Sequence, residues 1–118
     1  MITIAQGLIN SMEVLRLLQN DEDLKDIDVH IECFVNCREC GLTFTVRKKE
    51  GNNRKTFCIY EHRNSDEIII NGIDNWSSFS EDLPYMGDKW TYLANFGYGE
   101  FYKVYEKLKE LILNFYNN

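Results

Sequence analysis

The sequence predicts an α+β fold of two layers. An antiparallel meander sheet of four to five strands is covered on one face by an N-terminal and a C-terminal helix. Three observations carry this expectation. An unbroken apolar stripe at helical spacing runs from Phe101 to Phe115. Apolar residues between Ile27 and Ile70 alternate with a period of two. Short, turn-rich breaks separate those alternating runs, which favours hairpins over long crossovers.

Taken in order, the first element is a helix. Ile4, Leu8, Leu15 and Leu18 recur at helical spacing, and Met12 and Val14 widen the stripe. Thr3 is a candidate cap with Gln6 as its reciprocal partner. The helix should fade near Asn20, where the acidic stretch Asp21, Glu22, Asp23, Asp26, Asp28 begins. A first strand follows, with Ile27, Val29, Ile31, Cys33 and Val35 on one face and Asp28, His30, Glu32 and Phe34 on the other. Leu42, Phe44 and Val46 mark a second strand. Phe57 and Ile59 mark a third, with Cys58, Tyr60 and His62 on its other side. Residues 49–54 between them carry turn chemistry. Ile68, Ile69 and Ile70 read as a short buried fourth strand.

Regular patterning lapses between Ile73 and Asp88, apart from a helical turn expected over residues 77–83. It resumes from Lys89 to Phe96, where Trp90, Tyr92, Ala94 and Phe96 are expected on one face of a fifth strand. Gly97 and Gly99 let the chain turn into the last helix. There Phe101, Val104, Tyr105, Leu108, Leu111, Ile112 and Phe115 form the apolar stripe, and Glu100, Lys103, Glu106, Lys107 and Glu110 the polar one.

Matching apolar faces sets an expected register. Cys33 lies opposite Phe44, Ile31 opposite Val46 and Val35 opposite Leu42, with residues 36–41 as the loop. Val46 then meets Phe57, Phe44 meets Ile59, and His62 lies beside Gly41.

At 118 residues the chain fits one domain, residues 1–118, large enough to bury a core without disulfides. No apolar run approaches the length of a membrane span. The first residues lack the basic and apolar regions of a secretory signal. A cytoplasmic chain with reduced or metal-bound cysteines is therefore expected. The net charge of −6 argues against a nucleic-acid partner and is compatible with a basic protein partner. The basic residues Arg47, Lys48, Lys49, Arg54 and Lys55 lack interleaved aromatics and make a weak nucleic-acid platform.

Two constellations remain. Cys37-Arg38-Glu39-Cys40-Gly41 has the local form of a zinc knuckle, and the expected register brings His62 to it. A closed structural site would need one more donor, from Asp66 or water; the competing reading is a loop with two free thiols. The second constellation is the aromatic stretch after Ile73. Irregular stretches of about 15 residues are long for a compact domain and are usually functional or disordered. This one is too rich in Trp, Phe and Tyr for disorder. Trp76, Phe79 and Tyr85, with the acids Asp74, Glu81 and Asp82, form a candidate partner-binding surface; the alternative is that its aromatic residues tuck over the sheet.

Catalytic chemistry has few candidates. Only two histidines are present, with no Gly-x-Ser-x-Gly and no phosphate-binding glycine motif. The expected function is thus non-catalytic and cofactor-free: a small acidic inhibitor, immunity or antitoxin-type factor acting on a larger protein. The alternative is a small zinc-stabilised regulatory module held by Cys37, Cys40 and His62.

Overall fold

The computed structural model describes residues 4–35, 39–62, 67–75, 90–97 and 99–118. Its element order is α1 (Ile4–Gln19), a 3-10 turn (Glu22–Leu24), β1 (Val29–Val35), β2 (Glu39–Arg47), β3 (Arg54–His62), β4 (Glu67–Asp74), β5 (Thr91–Gly97) and α2 (Phe101–Asn117). The five strands form one antiparallel sheet in the order β1-β2-β3-β4-β5, the expected meander at its upper strand number. The expected cap Thr3 and the expected helical turn over 77–83 lie outside the described residues.

Both helices lie on one face and share one core. Val14 and Leu18 of α1, with Val104, Leu108 and Ile112 of α2, pack with Leu42, Phe44, Val46, Phe57, Ile59, Ile68 and Ile70 of the sheet. These sheet residues sit at matched cross-strand positions: Leu42 opposite Ile59, Phe44 opposite Phe57, Ile59 opposite Ile70. Period-two alternation puts such rows on a single face, which is why two amphipathic helices can cover them. The stripe of α2 is as the sequence predicts, with Phe101, Tyr105, Leu111 and Phe115 flanking its buried centre. On α1 the stripe is rotated. Ser11 is buried and Met12 is 53% exposed, so the seam follows Ser11, Val14 and Leu18, and Met12 does not widen it.

The register differs from expectation by two residues in each of the first two hairpins. Ile31 pairs with Phe44, Cys33 with Leu42 and Val35 with Cys40. Phe44 pairs with Phe57, Val46 with Lys55, and Glu39 with His62. A shift of two preserves which face each residue occupies, so apolar rows still match apolar rows. What changes is the loop: β2 begins at Glu39, leaving a tighter connection than residues 36–41.

Two local devices shape the far side of the sheet. In β5 the pairing passes from Ile70–Ala94 to Asn71–Tyr92, so Leu93 is the extra residue of a β-bulge. The bulge reverses the alternation. Ala94 and Phe96 pack on the core, whereas Tyr92 pairs with Asn71 and is 60% exposed, against its expected place beside them. Gly72 makes this possible, because a Cβ there would stand 2.9 Å from Leu93 Cδ1. At the end of β4, Asn75 adopts a left-handed conformation (φ 53°). Its amide donates to Arg54 O at 3.0 Å, and its Oδ1 accepts from Arg54 N at 3.2 Å. Asparagine tolerates this conformation better than most residues.

The opposite face is not a plain solvated surface. Thr43, Thr56, Cys58, Asn71 and Ile73 are all buried there. Their polar groups find partners within the sheet. Thr45 and Thr56 hydroxyls meet at 2.9 Å, and Asn71 Nδ2 donates to Tyr60 OH at 3.4 Å.

Candidate functional site

Of the candidate partner-binding residues, Asp74 is described. Trp76, Phe79, Glu81, Asp82 and Tyr85 lie outside the described residues. Asp74 ends β4 with its side chain 74% exposed, 3.8 Å from Lys55 Nζ. Exposed pairs of this kind contribute little to stability, so Asp74 stays open to other cations. On the neighbouring strand Tyr92 stands exposed, its hydroxyl donating to Asn95 Oδ1. An acid and an aromatic residue therefore flank the stretch from 76 to 89. The sequence pattern missed Tyr92 as a surface residue because the alternation within β5 itself does not mark the bulge at Leu93.

The proposed metal ligands are only partly placed. Cys37 lies outside the described residues. The backbone register sets Cys40 opposite Val35 and Glu61, and His62 opposite Glu39. The two thus occupy successive cross-strand rows at the same end of the sheet, and His62 is not beside Gly41. Among the described residues no group of three or more His, Cys, Asp or Glu side chains is placed to hold a metal ion. His30 lies on the exposed row of β1, with Nε2 3.0 Å from Glu32 Oε1.

The basic stretch packs against the end of α2. Lys49 N donates to Tyr116 O at 3.2 Å. Lys48 Nζ lies 5.8 Å from the Phe115 ring centroid, and Lys55 Nζ 5.8 Å from that of Phe57. Cations beside a helix C-terminus complement its dipole, and ammonium groups over rings add a cation–π term. The stretch therefore helps to anchor the helix.

A connected polar cluster ties the acidic stretch to α2. Asp21 accepts from the Tyr105 hydroxyl, from Lys109 Nζ at 2.9 Å and from the Asp23 amide at 2.9 Å. Lys109 also reaches Asp23 at 2.8 Å. The Asp21 side chain is only 6% exposed. Burial pushes its carboxyl up, but the Tyr105, Lys109 and Asp23 donors outweigh that and leave it below its ordinary value. Tyr105 is raised, chiefly by donating to Asp21, and Lys109 is raised by its bonds to Asp23 and Asp21. Tyr105 and Lys109 stand one helical turn apart, the sequence signal by which this pair could have been foreseen.

No helix among the described residues is long and apolar enough to cross a membrane. Comparison with family models, with curated proteins and with solved structures found no match.

Proposed function

We propose that this chain is a non-catalytic protein-binding factor of inhibitor, immunity or antitoxin type, acting in the cytoplasm on a larger, basic protein. The carrying observation is that exposed groups stand where the aromatic stretch leaves and rejoins the sheet: the Asp74 carboxylate at the end of β4, in the cross-strand row of Lys55 and Val46 on the helix side, and the Tyr92 ring near the start of β5, in the row of Asn71 on the other side. The stretch between them supplies Trp76, Phe79 and Tyr85 with Glu81 and Asp82. Aromatic anchors interspersed with acids along the sequence suit a basic protein surface: the rings supply binding energy, and the charge supplies specificity and encounter rate. The net charge of −6 works in the same direction.

The test starts from a tagged copy in its native host. The partner recovered is purified, and its affinity is measured by calorimetry against the wild type and a W76A/D82A/Y85A variant. Binding should fall by at least about thirtyfold, since two aromatic anchors at about 1–2 kcal/mol or more each are removed. The variant's melting temperature should stay near that of the wild type. Unchanged affinity in a folded variant would refute the assignment of the surface.

A further inference from the structure

A second surface lies at the opposite edge of the sheet. We propose that the outer edge of β1, with the groove beside it, docks an extended segment of a partner protein in which aliphatic side chains alternate with lysine or arginine.

Three observations meet there. The first is an open edge. Among the described residues β1 has a single neighbour in the sheet, β2, so its outer backbone groups can accept another strand. The second is an apolar groove on the helix side of that edge. Helix α1 lies over β2 and β3, leaving β1 at its flank with Val29 and Ile31 only half-buried. A hollow of about 180 Å³ results, lined by Leu18, Leu24, Ile27, Val29, Ile31 and Phe44. It could take the aliphatic side chains that an added strand turns toward the helices, since alternate residues of a strand face one side.

The third observation is charge. The row of β1 on the other face holds His30 and Glu32, both exposed, and exposed Asp28 continues it toward the acidic stretch. Between Asp21 and Glu32 six carboxylates accompany one lysine, Lys25. Lys25 is 3.5 Å from Glu22, and Lys109 reaches over to Asp21 and Asp23. Arg47 lies across from Asp28, and His30 Nε2 is 3.0 Å from Glu32, so Asp26, Asp28 and Glu32 leave the row a modest acidic excess. An added strand that turns aliphatic groups to the groove turns its intervening residues to this acidic row, where lysine or arginine is complementary. The same charges oppose a second copy of this chain, because edge-to-edge pairing would set Asp28 and Glu32 against their counterparts. Edge strands are commonly guarded by lysine; β1 has none and carries acid instead, so it rejects its own kind while remaining open to a basic strand.

This surface is on β1, whereas Asp74 and Tyr92 are on β4 and β5, so the proposal stands or falls separately from the reading of the aromatic stretch. The probe is a synthetic peptide of about ten residues, a common strand scale, alternating valine and lysine. It is titrated into the isotopically labelled full-length chain and followed by amide chemical shifts and hydrogen exchange. The expected result is saturable shifts at Leu24, Ile27, Val29 and Ile31 with slowed exchange along β1. A peptide with glutamate in place of lysine should bind at least about tenfold more weakly, or about 1.4 kcal/mol. Methylating alternate backbone nitrogens on the edge-facing side should abolish binding, which simple attraction between charges would survive. Glu32→Lys, on an exposed side chain, should weaken the lysine peptide about twofold to fivefold at low salt and leave folding intact. The proposal is overturned by any of four results: no binding, shifts that map elsewhere, equal affinity for both peptides, or sedimentation showing a dimer of the chain paired through β1.

Discussion

The link between Asp21 and α2 gives the most exacting prediction. Tyr105→Phe removes one hydroxyl and leaves the ring, so the packing of Tyr105 against the core is retained. The lost bond is to a carboxylate that is only 6% exposed. Hydrogen bonds to charged groups contribute about 1.5–3 kcal/mol. Asp21 keeps its bonds to Lys109 and the Asp23 amide, so the lower end applies, about 1.5–2 kcal/mol. For a domain of this size that lowers the melting temperature by roughly 5–10 °C. Asp21→Asn should cost at least as much at neutral pH.

The pH dependence of that link follows from the depressed carboxyl. A group whose pKa is lower in the folded state contributes stability that is full above its unfolded value, about 3.9, and is lost as pH falls through the folded value. The gap between wild type and Asp21→Asn should therefore be constant from about pH 6 to 7 and close as pH drops below about 4. At the other extreme Lys109 is raised, so its contribution is full below its unfolded value, about 10.4, and fades only as pH rises through the higher folded value. Calorimetric melts of the wild type and both variants at several pH values test this directly. A Tyr105→Phe melting point indistinguishable from wild type, or an Asp21→Asn deficit that persists unchanged in acid, would refute the reasoning.

Three further outcomes are expected. Leu108→Ala, at a position with no exposure, should lose about 3 kcal/mol in urea titration with an unchanged slope. Gly41→Ala should be worse than Gly72→Ala in the same assay. A Cβ at Gly41 would stand 2.0 Å from the Ile59 backbone oxygen, forcing the β2–β3 ladder to move, with a cost of about 3 kcal/mol or more. At Gly72 the neighbours are the movable ends of Leu93 and Lys55, and about 1 kcal/mol is expected. Elemental analysis of protein purified without chelator should find well below one zinc per chain; a full equivalent would instead establish the zinc-stabilised module.

The architecture was legible because its signals were redundant. Every residue at the centre of the α2 stripe is buried, and every central sheet residue chosen by alternation lies in the core. Register was less legible, because a slip of two residues keeps the apolar rows matched. The β2–β3 turn is centred one residue earlier than its glycine and asparagine positions suggest: Lys48 N closes on Asn53 O at 2.9 Å, with Arg47 opposite Arg54. The bulge at Leu93 left one trace in the sequence, Gly72 in the middle of an isoleucine-rich strand, where a missing side chain implies a close neighbour. On α1 hydropathy misled, since a small polar Ser11 takes the seam and Met12 does not. For the candidate site, the acids and aromatics were visible as composition. Tyr105 and Lys109 share a helical face in the sequence, but the link to Asp21 was not visible, because Asp21 and Tyr105 are 84 positions apart.

The order of assembly carries its own hazard. Helix α2 follows the whole meander along the chain, yet it supplies Val104, Leu108 and Ile112 to the seal over Phe44, Ile59 and Ile70. During synthesis the strands emerge before α2, with α1 as their roof among the described elements, and their oily side stays partly bare until residue 112 has emerged. A stop codon shortly before Val104 should accordingly yield a chain that clumps or is degraded.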